Sequence, residues 1–94
     1  MYARVATFEM DNVDELVDDV RRDVEENKRP PGLEDAKGVM FLVDRDKGKT
    51  IGITFYDSED ALKKGDEVLN QMSPGGSTRR TSVEFYEVPI QRMS

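Results

Sequence analysis

The chain has 94 residues and a net charge of −6, and it contains no cysteine, histidine or tryptophan. A chain of this length is expected to form one domain. The missing residue types exclude disulfides, thiolate nucleophiles and cysteine metal sites, and they remove the commonest general base and metal ligand. The prediction is a protein with no metal site and no cofactor. No apolar run approaches the roughly 20 residues of a membrane span. The first residues lack the charged and apolar regions of a signal peptide. The prediction is therefore a cytoplasmic protein that binds no membrane.

The first part of the chain predicts a strand and then a helix. Residues 2–9 alternate between two faces, which is typical of a β-strand. Asn12 and Glu15 form a capping-box pattern at the start of a helix, and Pro30-Pro31-Gly32 is expected to end it. The apolar residues between them recur at helical spacing and form one stripe: Val13, Leu16, Val17, Val20 and Val24.

The rest of the chain predicts a hairpin, a second helix and a last strand. Apolar runs at 38–43 and 49–56 flank a short polar loop with Gly48 late in it, which favours a hairpin with a left-handed residue. Asp57 or Ser58 is expected to cap the next helix, and Gly65 either weakens that helix or lets it approach the sheet closely. A loop at 73–77 precedes a strand over 81–88. The order is β-α-β-β-α-β, with one domain over 1–90 and a tail over 91–94. The apolar positions of the second helix are Ala61, Leu62, Val68, Leu69 and Met72.

The negative charge is concentrated on the first helix. Residues 9–28 hold nine acids and three bases, a balance of −6, whereas the other residues hold eleven of each. Three interpretations stay open: a solvated helix face, an acidic face that docks a basic partner, or a carboxylate metal site, although no calcium-loop glycine is present. The lack of a basic stripe argues against nucleic acid.

The strands predict a sheet with both helices on one side and an open face on the other. We expect the more apolar set to face the helices, because those positions need the most burial. This predicted helix-facing set is Val5, Met40, Leu42, Ile51, Ile53, Phe55, Val83 and Phe85. The predicted open face is Tyr2, Arg4, Phe8, Val39, Phe41, Val43, Thr54, Tyr56, Glu84, Tyr86 and Val88. An aromatic face of this kind usually marks an interface or a ligand cavity.

Several short segments resemble the antibiotic-biosynthesis monooxygenase-like group of the dimeric α+β-barrel superfamily. They are Met1-Tyr2-Ala3-Arg4-Val5, Pro31-Gly32, Leu42-Val43-Asp44-Arg45, Gly52-Ile53-Thr54-Phe55-Tyr56 and Asp57-Ser58-Glu59-Asp60-Ala61-Leu62. The resemblance implies an α+β, ferredoxin-like protomer with strand order 4-1-3-2, and a homodimer in which two sheets pack through their open faces. It also implies binding of a small aromatic molecule and cofactor-independent oxygenation of an aromatic or quinone-like metabolite. Haem degradation is not expected, because that activity uses histidine and tryptophan.

The candidate site combines the polar residues of the predicted open face. In the order 4-1-3-2, Arg4 lies near Thr54 on one side and near Glu84 or Tyr86 on the other. The functional hypothesis makes Arg4 the holder of an anion and Glu84 a catalytic base with a pKa raised by burial. Ligand-binding roles are predicted for Thr54, Tyr56, Tyr86 and Phe41.

Two non-catalytic interpretations of the same residues remain. In the first, Arg4 and Glu84 form a structural salt bridge across adjacent strands and the tyrosines lie at the dimer interface. The protein is then a dimeric module that binds a small hydrophobic ligand or simply dimerises. In the second, the protein is a subunit that docks through its acidic first helix.

Overall fold

The computed structural model describes residues 1–26, 35–71 and 78–92. They form an α+β structure of four strands and two helices, compatible with a small ferredoxin-like fold. The elements in chain order are β1 (Tyr2–Glu9), α1 (Val13–Glu25), β2 (Gly38–Asp44), β3 (Lys49–Tyr56), α2 (Glu59–Asn70) and β4 (Arg79–Glu87). The predicted stop at 30–32, the loop at 73–77 and Met72 lie outside the described residues.

The four strands form one antiparallel sheet in the order β2-β3-β1-β4. Read from the β4 edge, the same order is 4-1-3-2. β1 lies in the centre, where Arg4 pairs with Thr54 of β3 and with Phe85 of β4. The register between β1 and β4 shifts after Thr7, so that Thr81 is an extra residue on β4. Such a bulge reverses the faces of β4 relative to an unbroken alternation.

Local capping fixes the start of both helices. The backbone N–H of Glu15 donates to Asn12 Oδ1 at 3.2 Å, which confirms Asn12 as the N-cap. Glu15 Oε2 accepts from Asn12 Nδ2 at 3.5 Å, a bond to the cap's side chain and not to the backbone N–H of a capping box. At α2 the cap is Ser58, whose hydroxyl accepts from the backbone N–H of Ala61 at 3.1 Å. These bonds satisfy N–H groups that have no partner inside the helix.

The β2–β3 turn confirms the predicted left-handed glycine. Gly48 has φ of +61°, a conformation that costs glycine little because it has no Cβ. Its carbonyl accepts from the N–H of Met10 at 2.8 Å, and a Cβ on Gly48 would lie 2.5 Å from the Met10 carbonyl oxygen. The turn therefore holds the end of β1, and a contact between Arg45 and Asp14 joins it to the start of α1.

The two faces of the sheet are the reverse of the prediction for β1, β2 and β3. Arg4 bonds to α2 and Tyr56 packs beneath it, so these residues face the helices. Residues opposite each other in the register share a face, which places Thr54 and Phe85 on the helix side too, as predicted for Phe85. Val83 also lies on the helix side, as predicted. The residues predicted to face the helices that instead lie on the open face are Val5, Met40, Leu42, Ile51, Ile53 and Phe55.

Two pairings explain this reversal. Tyr56 is fully buried because a glycine on α2 leaves room for its ring. Arg4 is only 5% exposed and is tolerated there because two α2 side chains accept its hydrogen bonds. A buried charge is costly unless it is paired in this way. Composition alone ranks the polar set as the exposed one, because it does not reveal these partners.

Candidate functional site

Arg4 forms the centre of a polar cluster between the sheet and α2. Its Nε donates to Asp66 Oδ1 at 2.8 Å and its Nη2 donates to Asn70 Oδ1 at 3.3 Å. Asn70 Nδ2 donates to Asp66 Oδ2 at 3.1 Å, and Arg80 Nη1 donates to Asn70 Oδ1 at 2.8 Å. We call these four residues the Arg4 cluster. It ties β1, α2 and the start of β4 together.

The predicted partnership between Arg4 and Glu84 is wrong. The carboxylate that pairs with Arg4 is Asp66, with a side chain 22% exposed. Glu84 lies opposite Val5 and therefore on the open face, where its Oε2 accepts from the Tyr86 hydroxyl at 2.7 Å. The sheet itself separates the two residues proposed as catalytic. The sequence-based pairing of Arg4 with Glu84 is wrong because it assumes unbroken alternation along β4. The bulge at Thr81 shifts that alternation, so that Glu84 and Tyr86 lie on the face opposite Arg4.

The pair of Tyr86 and Glu84 has its own electrostatic signature. The hydrogen bond to the Glu84 carboxylate, with smaller contributions from burial and from its negative charge, raises the pKa of Tyr86 above its ordinary value of 10.0. A carboxylate acceptor favours the protonated phenol, since ionisation would place two negative charges together. Tyr86 is thus a proton donor at neutral pH, on the face away from the helices.

The predicted ligand residues divide between the two sides of the sheet. Thr54 and Tyr56 are buried in the layer between β3 and the helices. Phe41 lies on the helix side of β2, where its ring packs over Gly52, the residue opposite it on β3. Tyr86 is half exposed on the opposite face. The structure therefore brings Arg4, Thr54 and Tyr56 together, and it places Phe41 in a separate location on the same side.

An open cavity of about 400 Å³ lies between α1 and β2. Its volume is within the range of about 300 to 1,000 Å³ that is usual for small-molecule sites. The walls are mainly apolar, with one cation and one carboxylate one helical turn apart on α1. The lining residues are Leu16, Val17, Val20, Arg21, Glu25, Phe41 and Val43.

A buried hydroxyl lies in the sheet beside Val43, which lines this cavity. Thr50 is opposite Val43 in the register and shares its face. Thr50 is fully buried, and its Oγ1 has no hydrogen-bond partner among the residues that the structure describes. A buried polar atom of this kind usually has a water or ligand partner. It marks the layer beside Val43 as a place where a polar atom would be stabilised.

The open face forms a rectangular surface of four rows, each crossing the sheet from β2 to β4. Three rows are mainly apolar on β2, β3 and β1, and the fourth consists of charged residues. Leu42 and Tyr86 are 45% and 50% exposed on this surface. The rows, each in the order β2, β3, β1, β4, are Gly38–Phe55–Ala3–Tyr86, Met40–Ile53–Val5–Glu84, Leu42–Ile51–Thr7–Ser82 and Asp44–Lys49–Glu9–Arg79.

Sequence reasoning did not identify the α2 partners of Arg4 or the cavity. A signal for the first was present: Asp66 follows Leu62 by four residues and therefore lies on the stripe that α2 turns towards the sheet. The helical spacing predicts the apolar stripe of α1 but not the cavity that it lines. Leu16, Val17 and Val20 remain half-buried around the cavity.

Among residues 1–26, 35–71 and 78–92, no group of three Asp or Glu side chains is arranged to hold a metal ion. No helix in that part of the chain is long and apolar enough to cross a membrane. No protein-family model matches the chain, and no curated protein matches it in sequence. The site must therefore be interpreted from its own geometry.

Proposed function

We propose that the chain is a homodimeric module that binds a small apolar molecule in the cavity between α1 and β2. The observation that carries this proposal is the cavity itself, about 400 Å³ in volume and lined by five apolar side chains. Phe41, predicted to bind ligand, contributes an aromatic wall.

The open sheet face supports the dimeric part of the proposal. Four strands at about 4.8 Å spacing, over seven residues at about 3.3 Å, cover roughly 400 Å². About half of the sixteen positions on this surface are apolar, and an exposed patch of that kind is often functional. Both described helices lie on the other side of the sheet, so a second copy is the partner that we assign to this face.

A ligand-induced shift in thermal unfolding tests the binding proposal. The panel would contain small aromatic hydrocarbons, phenols, carboxylates and quinones. A ligand that binds only the folded state at a hundred times its Kd stabilises it by about 2.7 kcal/mol. We expect at least one member to raise Tm in the unmodified chain and to lose this effect in Val17→Trp, which fills the cavity. Val68→Trp, on a half-exposed position of α2 away from the cavity, is the matched control.

The outcome of that experiment separates three functions. If no member of the panel raises Tm, or if Val17→Trp and Val68→Trp respond alike, the cavity is not the binding site. Dioxygen uptake with a quinol, lost in Val17→Trp, would instead assign the oxygenase activity implied by the family resemblance. Association with a basic protein that disappears at high salt and on neutralising the α1 acids would assign the docking role.

A further inference from the structure

The Arg4 cluster contains two guanidinium groups but only one carboxylate. Arg4 Nη2 and Arg80 Nη1 both donate to the same atom, Asn70 Oδ1, at 3.3 and 2.8 Å. The two nitrogens therefore lie within about 6 Å of each other, the sum of those distances. Asn70 is neutral and Asp66 supplies one negative charge. The four side chains together carry a charge of +1, in a chain whose net charge is −6.

Arg4 uses only one edge of its guanidinium group inside this cluster. Its Nε and Nη2 donate to Asp66 and Asn70, whereas Nη1 donates to no residue in the part of the chain that the structure describes. Although Arg4 is only 5% exposed, Nη1 is not enclosed, because Thr50 Oγ1 is the one enclosed side-chain atom without a partner among the described residues. A guanidinium presents its donors as a rigid fork, so the free end of the Arg4 fork is available to an acceptor.

An apolar surface on β4 adjoins the two arginines. Arg80, Val83 and Phe85 all lie on the helix side of this strand, and Phe85 is opposite Arg4 in the register. α2 packs against β1 and β3, and Phe85 remains 52% exposed. The register with β1 separates Arg80 from Phe85 by four residue steps of about 3.3 Å, roughly 13 Å in all. This length of β4 presents a cation at one end and an aromatic ring at the other.

We infer that the Arg4 cluster and the helix side of β4 form a binding site for a small organic acid with one carboxylate and an apolar body. The carboxylate accepts from Arg4 Nη1 and from Arg80, and the body covers Val83 and Phe85. A single negative charge neutralises the cluster, whereas a phosphate dianion would add excess negative charge beside Asp66. Hydrogen bonds between two ionised groups are stronger than neutral ones, and the planar guanidinium fork matches the geometry of a carboxylate.

This carboxylate site is separate from the cavity of the proposed function. The cavity lies between α1 and β2, whereas the two arginines lie on β1 and on β4, at the opposite edge of the sheet from β2. The site also differs from the one predicted from the sequence. Arg4 still holds an anion, but its companion is a second cation, Arg80, and the ligand lies on the helix side of the sheet, away from Glu84. Binding here therefore does not depend on the proposed function.

An NMR titration with benzoate, phenylacetate and hexanoate tests the charged part of the site. In the unmodified chain the largest shifts should occur at the guanidinium N–H signals of Arg4 and Arg80. Arg80→Met should raise the Kd about tenfold or more, the usual effect of losing a hydrogen bond to a charged group. Arg80 is exposed, so this variant should fold. Arg79→Met is the matched control, because the neighbouring arginine bonds to Glu9 on the open face and its loss should leave the Kd unchanged.

A second pair of variants tests the apolar part of the site. Phe85→Ser should weaken the binding of phenylacetate and hexanoate several-fold, because the body of each acid then loses the ring that it covers. It should leave the weak binding of acetate unchanged. Tyr86→Ser, at the next position and on the opposite face with a similar exposure of 50%, is the matched control. The alcohol 2-phenylethanol, which has the ring of phenylacetate without its charge, should cause no shift at either arginine.

Four results would overturn the carboxylate site, and each has a different meaning. Equal weakening in Arg79→Met and Arg80→Met would show a general charge effect. Inorganic phosphate that binds as tightly as phenylacetate at equal ionic strength, and equally well in Phe85→Ser, would show an unspecific anion site. Binding of phenylacetate that is lost in Val17→Trp but kept in Arg80→Met would place the acid in the cavity, which would support the proposed function. If none of the three acids binds, the carboxylate site is refuted, and the uncharged ligands of the earlier panel still test the cavity.

Discussion

Gly65→Ala should destabilise the protein, although alanine is the better helix former. In an ordinary exposed helix this change stabilises by about 1 kcal/mol. Here the added Cβ would lie 2.2 Å from Tyr56 Oη and 2.6 Å from its Cζ, and both distances are shorter than any normal contact. Tyr56 is fully buried and its ring cannot move into solvent. Forcing an extra carbon into a packed core costs about 1 to 3 kcal/mol. After the propensity gain of about 1 kcal/mol is subtracted, a net loss of up to about 2 kcal/mol is expected.

Urea unfolding of four proteins measures this effect: the unmodified chain, Gly65→Ala, Tyr56→Leu and the double variant. Replacing the ring with leucine removes the atoms that the new Cβ would meet. In that background Gly65→Ala should therefore become stabilising, by about the 1 kcal/mol of helix propensity. Lys63→Gly, at an exposed position of the same helix, calibrates the propensity and should cost about 1 kcal/mol.

The sign of the change in unfolding free energy caused by Gly65→Ala tests the contact between α2 and Tyr56. If Gly65→Ala raises the free energy of unfolding in the presence of Tyr56, the close approach of α2 to the sheet is not what requires glycine at this position. If the two changes are additive, no contact couples them. Thermal unfolding provides a second measurement, with an expected decrease in Tm of about 4 to 8 °C for each kcal/mol in a domain of this size.

Three further predictions concern single pairs. Arg4→Met should lower the free energy of unfolding in urea by roughly 2 to 3 kcal/mol. This is less than the loss expected for a fully buried ion pair, because the Asp66 side chain is 22% exposed. The double variant Arg4→Met with Asp66→Leu should recover at least half of that loss. Glu84→Gln should lower the pKa of Tyr86 towards 10.0 in an NMR titration. Because the pKa of Tyr86 is raised in the folded state, the hydrogen bond stabilises the fold fully at pH values below the unfolded pKa. That stabilisation disappears as pH rises through the folded pKa. Ser58→Ala should cost about 1 kcal/mol through loss of the α2 cap, and an unchanged midpoint would contradict the capping role.

The sequence predicts best those features that depend on neighbours in the chain. The N-cap at Asn12 and the left-handed Gly48 each follow from a few adjacent residues, and the structure confirms both. The strand limits differ from the predicted ones by at most about two residues, as is usual for assignments of this kind. The element order follows from these local patterns, whereas the strand order 4-1-3-2 is implied by the family resemblance and not by any local pattern.

The features that the sequence did not predict depend on distant residues. Arg4 and Asp66 are separated by 62 positions, and no local pattern identifies them as partners. The bulge at Thr81 depends on how β4 pairs with β1, and it decides which face Glu84 occupies. The cavity depends on the distance between α1 and β2, which no single segment determines. Because of these three features, the site predicted from the sequence groups residues that the structure places on opposite faces of the sheet.

The reversal of the two sheet faces is itself an argument for a second copy. A rule that turns the most apolar face towards the protein's own helices assumes that the helices are the only cover the sheet has. Here the helix side contains Arg4, Thr50 and Thr54, all buried, while Ile51 and Ile53 lie on the side without helices. Burying an aliphatic side chain completely contributes about 1.5 to 3 kcal/mol. The placement of Ile51 and Ile53 on the face without helices, while an arginine is buried beneath them on the other face, supports the proposal that a partner covers the open face.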